Sequence, residues 1–145
     1  MKQGDIERAH LLEPELIMAI TVYGEARGEP LLGKIAVAHT INNRVKDNRW
    51  PNTVVGVCLQ PKQFSCWNEN DPNCEILTRK LWQLKSTDTS YTWKECLFSA
   101  FGVVRDYIKD LTEGANHYHT NSINPSWAKQ MVKTVEIGHH IFYRA

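Results

Sequence analysis

The segment between residues 13 and 27 constrains the fold most strongly. It is apolar nearly all the way round a helical projection, which is typical of a helix buried in the middle of a domain. Its apolar residues are Leu16, Ile17, Met18, Ala19, Ile20, Val22 and Tyr23. Gly28 and Pro30 are expected to end this helix. A chain of 145 residues is long enough to build a core around it, and we expect residues 1–145 to form a single domain.

Three further helices are predicted from local signals. The first covers residues 31–47, where apolar side chains recur at helical spacing. The second follows Asp71 and Pro72, a capping residue and a proline at the first helical position. The third opens with Thr92 and Glu95, which are spaced as a capping box. The residues expected to face inward are Ala38, Ile41, Val45, Leu77, Leu81, Leu84, Trp93, Leu97, Ala100, Val104, Ile108 and Leu111.

The two ends of the chain differ from this helical middle. Residues 1–12 are mostly polar and are expected to form a loose N-terminal arm. Residues 116–120 are rich in aromatic and threonine side chains, and residues 133–144 favour β-structure with a bend at Gly138. The predicted fold class is therefore α+β, mainly helical, with a small β-sheet at the C-terminal end.

The charge pattern argues against two classes of partner. The net charge is +1 and the basic residues are scattered, so we expect no nucleic-acid partner. No stretch approaches the ~18 apolar residues of a membrane span. Charged residues interrupt residues 1–20, so we expect no signal peptide and synthesis in the cytosol. We also expect a monomer.

The four cysteines are predicted to be free thiols. They are Cys58, Cys66, Cys74 and Cys96. A domain of this length does not need disulfide bonds, and a cytosolic origin disfavours them. The first three follow one another at a spacing of eight residues, which matches no zinc finger. A disulfide bond or a metal site is the alternative.

Glu25 is the candidate for catalysis. It continues the apolar stripe of Met18 and Val22 on the predicted central helix, and burial there should raise the pKa of its carboxyl group. A raised carboxyl pKa suits a general acid near neutral pH. The alternative is an internal ion pair with Arg27, His39 or Arg44. Glu29 lies one helical turn further on and is a candidate for binding substrate. Its charge is expected to raise the pKa of Glu25 again, unless it is solvated or caps the next helix.

An irregular segment over residues 48–70 forms a second candidate site. Such long loops inside compact domains are often functional. Here polar and aromatic side chains alternate, and a sugar would stack on the aromatic rings while amides and hydroxyls bind its hydroxyl groups. The substrate-binding candidates in this segment are Gln63, Phe64, Ser65 and Trp67. The alternative for the two aromatic residues is that they fill the core beneath the loop.

Residues 116–120 supply the third candidate group. Alternation along a strand places Tyr118 and Thr120 on one face and His117 and His119 on the other. Tyr118, Thr120 and Trp127 are candidates for binding substrate in a cleft beside Glu25. The histidine pair is the alternative as a zinc site. Because no third ligand stands at a recognisable spacing, we expect no metal and no other cofactor.

The chain resembles the SleB-like cell-wall hydrolases, the catalytic domain of spore-cortex-lytic enzymes that also occurs in phage lysins. Four blocks carry the resemblance, in the order in which the family has them. They are YGEARGEP at 23–30, GKIAVAHTINNRV at 33–45, WPNT at 50–53 with PKQFSCW at 61–67, and HYHT at 117–120 with residues 125–128 and 137–143.

The resemblance implies a lysozyme-like fold related to lytic transglycosylases and a catalytic glutamate at Glu25. It implies a peptidoglycan substrate cut between N-acetylmuramic acid and N-acetylglucosamine in the bacterial cell wall, within a phage lysis system or a spore cortex. Since no second carboxylate stands opposite Glu25, we expect a lytic transglycosylase. Hydrolysis by water, a zinc-dependent amidase that uses His117 and His119, and a non-catalytic wall-binding module are the alternatives.

Overall fold

The structure is a computed structural model that describes residues 1–83 and 88–145. Within these residues, six α-helices precede an antiparallel sheet of three strands. The elements are α1 Gln3–Leu11, α2 Pro14–Ala26, α3 Leu31–Lys46, α4 Val54–Cys58, α5 Pro72–Trp82, α6 Tyr91–Val104, β1 His117–Thr120, β2 Val132–Ile137 and β3 His140–Arg144. Short 3₁₀ helices lie at Ser65–Trp67 and Ser126–Gln130. The predicted fold class is confirmed.

Helix α2 is the centre of the helical layer. Its residues 17–22 are completely buried, and the helix packs against α3, α4, α5 and α6. Pro14 occupies the first turn, where its missing N–H costs no hydrogen bond. The helix ends at Ala26, just before Gly28. The prediction of a buried central helix is therefore confirmed, and its last turn projects toward the sheet.

The sheet has the order β1-β3-β2 and lies against the end of the helical layer. Tyr118 is paired with Phe142, and Thr120 with His140. Gly138 adopts a φ of 60° in the turn between β2 and β3, a left-handed conformation that glycine tolerates best. Phe142 is completely buried, so one face of the sheet joins the core. The other face carries the histidines of β1.

The prediction of a loose N-terminal arm is wrong. Residues 3–11 form α1, whose Ala9 is completely buried, and the helix packs against α5. Arg8 donates from Nε to the carbonyl oxygen of Leu81 at 3.3 Å, and Trp82 donates from Nε1 to Asp5 at 2.8 Å. Polar side chains therefore help to attach α1 to α5. A count of apolar residues in the sequence does not reveal such contacts.

Helix α6 begins earlier than its sequence suggests. Ser90 caps it by accepting from the backbone N–H of Trp93 at 3.2 Å, so the predicted capping box at Thr92 is wrong. The helix ends at Val104, and Leu111, expected to face inward, is 43% exposed. In α5 the predicted inward residues Leu77 and Leu81 are completely buried. The prediction for Leu84 lies outside the described residues.

Two smaller expectations can be compared with the structure. All four cysteines are buried free thiols, as predicted. In the described part of the chain, no helix is both long and apolar enough to span a membrane.

Candidate active site

Glu25 lies in the last turn of α2, beside two other elements that glycine allows to approach. A Cβ atom added to Gly24 would lie 2.9 Å from both Cβ and Sγ of Cys66, and 2.8 Å from a methyl carbon of Leu77. The absence of a side chain at Gly24 therefore lets the 3₁₀ helix Ser65–Trp67 and helix α5 pack directly on this turn. Glu25, the next residue, is half-buried.

Tyr118 contacts Glu25 directly. Its hydroxyl group donates a hydrogen bond to Oε1 of Glu25 at 2.5 Å. The ring of Tyr118 is fixed by the rings of His140 and Phe142, with centroids 4.8 and 5.6 Å away. Strand β1 is thus joined to helix α2 at the proposed acid, and Tyr118 lies beside Glu25 as predicted.

The electrostatics of Glu25 suit a proton donor. Burial raises the pKa of its carboxyl group and the charge of Asp71 raises it further, while contacts from Tyr118 and Cys66 oppose the rise. Burial and the neighbouring Glu25 hold the pKa of Tyr118 well above that of a free phenol, so its hydroxyl group stays protonated and remains a donor. A protonated carboxyl group at neutral pH is what general acid catalysis requires.

The carboxylate of Glu29 is bound to the β2–β3 turn. It accepts hydrogen bonds from the backbone N–H of His139 at 2.6 Å and from Nδ1 of His139 at 2.8 Å. Burial opposes ionisation, but these bonds together with His140 lower the pKa of Glu29. Glu29 therefore anchors the β2–β3 turn. The residues that chiefly shift the pKa of Glu25 are Tyr118, Cys66 and Asp71, and a role for Glu29 in binding substrate stays a prediction.

The aromatic residues of the 48–70 segment belong to the core. Phe64 is 3% exposed and Trp67 is 4% exposed. Trp67 also donates from Nε1 to the hydroxyl group of Thr21 at 3.0 Å. Both rings are part of the hydrophobic core, which was the alternative for them, and a role for either in binding substrate stays a prediction. Gln63 and Ser65 alternate with them and are exposed.

Arg44 lies near Glu25, although the sequence suggests it only as an alternative ion-pair partner. It is 5% exposed, and its Nε donates to the backbone oxygen of Asn116 at 2.7 Å. Its Nη1 donates to Oε1 of Gln63 at 3.2 Å. A signal was present, because Arg44 follows Val37 and Ile41 at helical spacing and those two residues are completely buried.

Trp127 and the histidine pair lie on the opposite face of β1 from Tyr118. The ring of Trp127 contacts His117 and His119, each at 5.6 Å between centroids, and His119 also bonds the hydroxyl group of Tyr143 at 2.8 Å. Burial and nearby arginines lower the pKa of His117 to about 4. Within the described ranges, no group of three or more His, Cys, Asp or Glu residues is arranged to hold a metal ion.

Thr120 is placed farther out than Tyr118 on the strand. It is exposed, and its hydroxyl group bonds that of Ser122 at 2.9 Å. The structure therefore brings Tyr118 to Glu25, leaves Thr120, Gln63 and Ser65 accessible from solvent, and separates Trp127 from this group.

Comparison with known proteins identifies the family. The family model described as Cell Wall Hydrolase matches residues 28–143. A spore cortex-lytic enzyme of Oceanobacillus iheyensis is 30% identical over 129 residues, which is 87% of this chain and 40% of that protein. One of Halalkalibacterium halodurans is 31% identical over 129 residues, again 87% of this chain and 33% of that protein. The chain thus spans well under half the length of these relatives.

Solved structures extend the match over the whole fold. The catalytic domain of the germination-specific lytic transglycosylase SleB from Bacillus anthracis superposes with a TM-score of 0.65 at 30% identity, over 99% of this chain and 97% of that one. The catalytic domain of the Bacillus cereus SleB protein superposes with a TM-score of 0.64 at 30% identity, over 99% and 91%. The predicted lysozyme-like fold is confirmed, and the chain belongs to the cell wall hydrolase family.

Proposed function

We propose that this protein cleaves the glycan strands of peptidoglycan between N-acetylmuramic acid and N-acetylglucosamine, as a lytic transglycosylase. The observation that carries the proposal is the half-buried carboxyl group of Glu25, with its raised pKa and its hydrogen bond from Tyr118. Relatives that are spore cortex-lytic enzymes, and a superposable catalytic domain of a lytic transglycosylase, support the choice of substrate and reaction.

In the first step Glu25 acts as the acid. Tyr118 occupies Oε1 of Glu25, so the proton is donated from Oε2. It passes to the glycosidic oxygen, the bond from that oxygen to C1 of the muramic residue breaks, and the N-acetylglucosamine leaves with a free hydroxyl group. Positive charge develops on the muramic ring as the bond breaks.

In the second step the same group acts as the base. The Glu25 carboxylate removes the proton from the C6 hydroxyl group of the muramic residue, and O6 bonds to C1. A 1,6-anhydro ring closes, Glu25 regains its proton, and no water is consumed. This sequence needs a single carboxylate, whereas hydrolysis by the usual carboxylate pair needs a second one across the cleft.

The accessible polar residues near Glu25 would hold the sugar. Gln63 and Ser65 face solvent from the segment that packs on the end of α2, and Thr120 faces solvent from β1. Their amide and hydroxyl groups match the hydroxyl and acetamido groups of the glycan. Trp127, which lies beyond the other face of β1, would contact a more distant part of the strand or of its peptide.

Asp71 supports one alternative, hydrolysis by water. Its charge acts on Glu25, which makes it the acidic residue to consider as a second carboxylate. Against this role, its side chain accepts a hydrogen bond from the backbone N–H of Asn73 at 2.8 Å and caps α5. Transglycosylation therefore remains our proposal, with hydrolysis through Asp71 as the second candidate.

Mass spectrometry of digested peptidoglycan tests the proposal. Purified peptidoglycan is incubated with the protein and with its Glu25→Gln variant. We expect muropeptides that end in 1,6-anhydro-muramic acid from the unaltered protein and none from the variant. Glu136→Gln is the matched control, since it makes the same chemical change in an exposed carboxylate of β2, and it should give the same products as the unaltered protein.

Other products would contradict parts of the proposal. Reducing muramic ends would mean that water is the nucleophile, and Asp71→Asn would then be expected to abolish them. Free stem peptides, lost when a chelator is added, would mean a metal-dependent amidase instead. Binding to peptidoglycan without any new ends would mean a wall-binding module.

A further inference from the structure

Arg44 is a buried cation to which the proposed reaction gives no role. Its guanidinium group spans three elements near Glu25. Nε holds the backbone oxygen of Asn116 at the start of β1, and Nη1 holds Oε1 of Gln63 in the 48–70 segment. The residue itself belongs to α3 and is 5% exposed. The strand that carries Tyr118 and the segment that carries Gln63 are therefore fastened to the same side chain.

The charge of Arg44 is not neutralised by an ion pair. Among residues 1–83 and 88–145, no carboxylate forms a salt bridge with it. The rings of Trp50 and Phe64 flank it at 5.4 Å each, which offsets part of the cost of burial. Burial lowers the pKa of Arg44, while Tyr118, Cys58 and Glu25 act in the opposite direction. A buried cation without a carboxylate partner is costly, so its place near Glu25 makes Arg44 a candidate functional residue.

We infer that Arg44 is a positioning residue for the reaction of Glu25. Its guanidinium group holds β1 and Gln63 in place, and its charge stabilises the carboxylate that Glu25 becomes after donating its proton. The inference rests on the proposed function. It adds a residue that touches neither the sugar nor the breaking bond.

Two physical effects give Arg44 this role. A fixed positive charge in a site of low dielectric stabilises the negative charge that develops on Glu25, without any reorganisation during the step. The hydrogen bond to Oε1 of Gln63 also sets the orientation of that amide, so its Nε2 group is left as the donor for a sugar oxygen. Arg44 should therefore affect both the acidity of Glu25 and the binding of substrate.

The sign of the expected pH effect follows from the groups that act on Glu25. The main ones are Tyr118 of β1, Cys66 of the 3₁₀ helix and Asp71 before α5, and the charge of Glu25 also interacts, more weakly, with Arg44 of α3. Arg44 is the cation of this group and favours the ionised form of Glu25. Loss of its charge should raise the pKa of Glu25, and activity that needs the protonated form should persist to higher pH.

The test compares pH profiles of kcat/KM on solubilised glycan strands for Arg44→Met and Arg44→Lys. For Arg44→Met we expect the alkaline limb to move to higher pH and kcat to fall roughly tenfold. Arg44→Lys keeps the positive charge but loses the planar guanidinium group that makes both hydrogen bonds. The alkaline limb of its kcat/KM profile should therefore stay in place, while its KM rises severalfold. The control is Arg49→Met, which removes an exposed arginine 4.9 Å from the same Trp50 ring and should change neither quantity.

Two results would overturn the inference. One is an unmoved alkaline limb in Arg44→Met, and the other is an unchanged KM in Arg44→Lys. If circular dichroism shows that Arg44→Met does not fold, the KM of Arg44→Lys decides. Cleavage that survives in Glu25→Gln would refute the proposed function itself, whereas an inactive Glu25→Gln with an unmoved limb refutes only the role of Arg44.

Discussion

At the scale of single residues, the proposed chemistry depends on Glu25 and Tyr118. Burial raises the pKa of Glu25, and the Tyr118 hydroxyl group moderates that rise by bonding to Oε1. The balance matters because an acid must hold its proton before the reaction and release it during the reaction. Activity should accordingly decline as pH rises through the raised pKa of Glu25, where the protonated form is lost.

Replacing Tyr118 by Phe measures the contribution of its hydrogen bond. The hydroxyl group favours the ionised carboxyl group, so its loss should raise the pKa of Glu25 and move the alkaline limb of kcat/KM to higher pH. We expect a shift of about one unit and a loss in kcat of roughly tenfold.

Tyr143→Phe is the control for this change. Its hydroxyl group bonds His119 on the other face of the sheet, and its removal should leave the limb in place. An unmoved limb in Tyr118→Phe would show that its hydrogen bond does not set the acidity of Glu25.

The residue scale also shows what local patterns can predict. Glu25 was predicted because burial on one helix follows from helical spacing, and Tyr118 because strand alternation is local. The true partners of Glu29 and Arg44 were not predicted, since His139 and Asn116 are distant in the sequence and are brought close only by the docking of the sheet.

At the scale of elements, the end of α2 depends on the close approach of the 3₁₀ helix Ser65–Trp67. The approach is possible because Gly24 has no side chain. The sequence predicts α2, but it gives no sign of regular structure in residues 48–70. The structure has α4 and this 3₁₀ helix within that segment. Such short helices are fixed by tertiary packing and carry little periodicity of their own.

Gly24→Ala should therefore destabilise the protein even though alanine favours helices. The new Cβ atom would lie 2.9 Å from Cβ and Sγ of Cys66, so the 3₁₀ helix would have to move. We expect a loss of about 1–3 kcal/mol in the free energy of unfolding, measured with urea, and reduced cleavage.

Gly28→Ala provides the comparison for this substitution. A Cβ atom at Gly28 would meet nothing within 4 Å, so this variant should retain the stability of the unaltered protein. Equal stability of the two variants would contradict the argument from packing.

At the scale of the whole molecule, the helical layer and the sheet share a hydrophobic core through Phe142, and polar contacts join them as well. Among these contacts are the bonds between Glu25 and Tyr118, Glu29 and His139, and Arg44 and Asn116. Fold class could be predicted from the distribution of helical and β-prone segments, but this junction could not, because each contact pairs residues from different layers.

Glu29→Gln tests how much the junction contributes to stability. The pKa of Glu29 is lowered in the fold, so its contribution should be fully present above about pH 4.3, the value for a free glutamate. It should disappear as pH falls through the lowered pKa. We expect a loss of about 1–3 kcal/mol at neutral pH and a smaller one in acid, with unfolding followed by circular dichroism.

The same substitution at Glu136 serves as the reference. Glu136 is exposed on β2 and pairs with Lys133 at 3.8 Å, and surface pairs of this kind contribute little. A difference between Glu29→Gln and Glu136→Gln that does not vary with pH would mean that ionised Glu29 is not what anchors the turn.

The alternation of exposed Gln63 and Ser65 with buried Phe64 and Cys66 has an evolutionary consequence. Positions that can meet the polymer are interleaved with positions that maintain the fold, yet their side chains lie in separate environments. Mutations can therefore accumulate at the first pair without unfolding the second. We expect homologues that act on differently modified cell walls to vary at Gln63 and Ser65. They should retain an aromatic residue at position 64 and a cysteine at position 66.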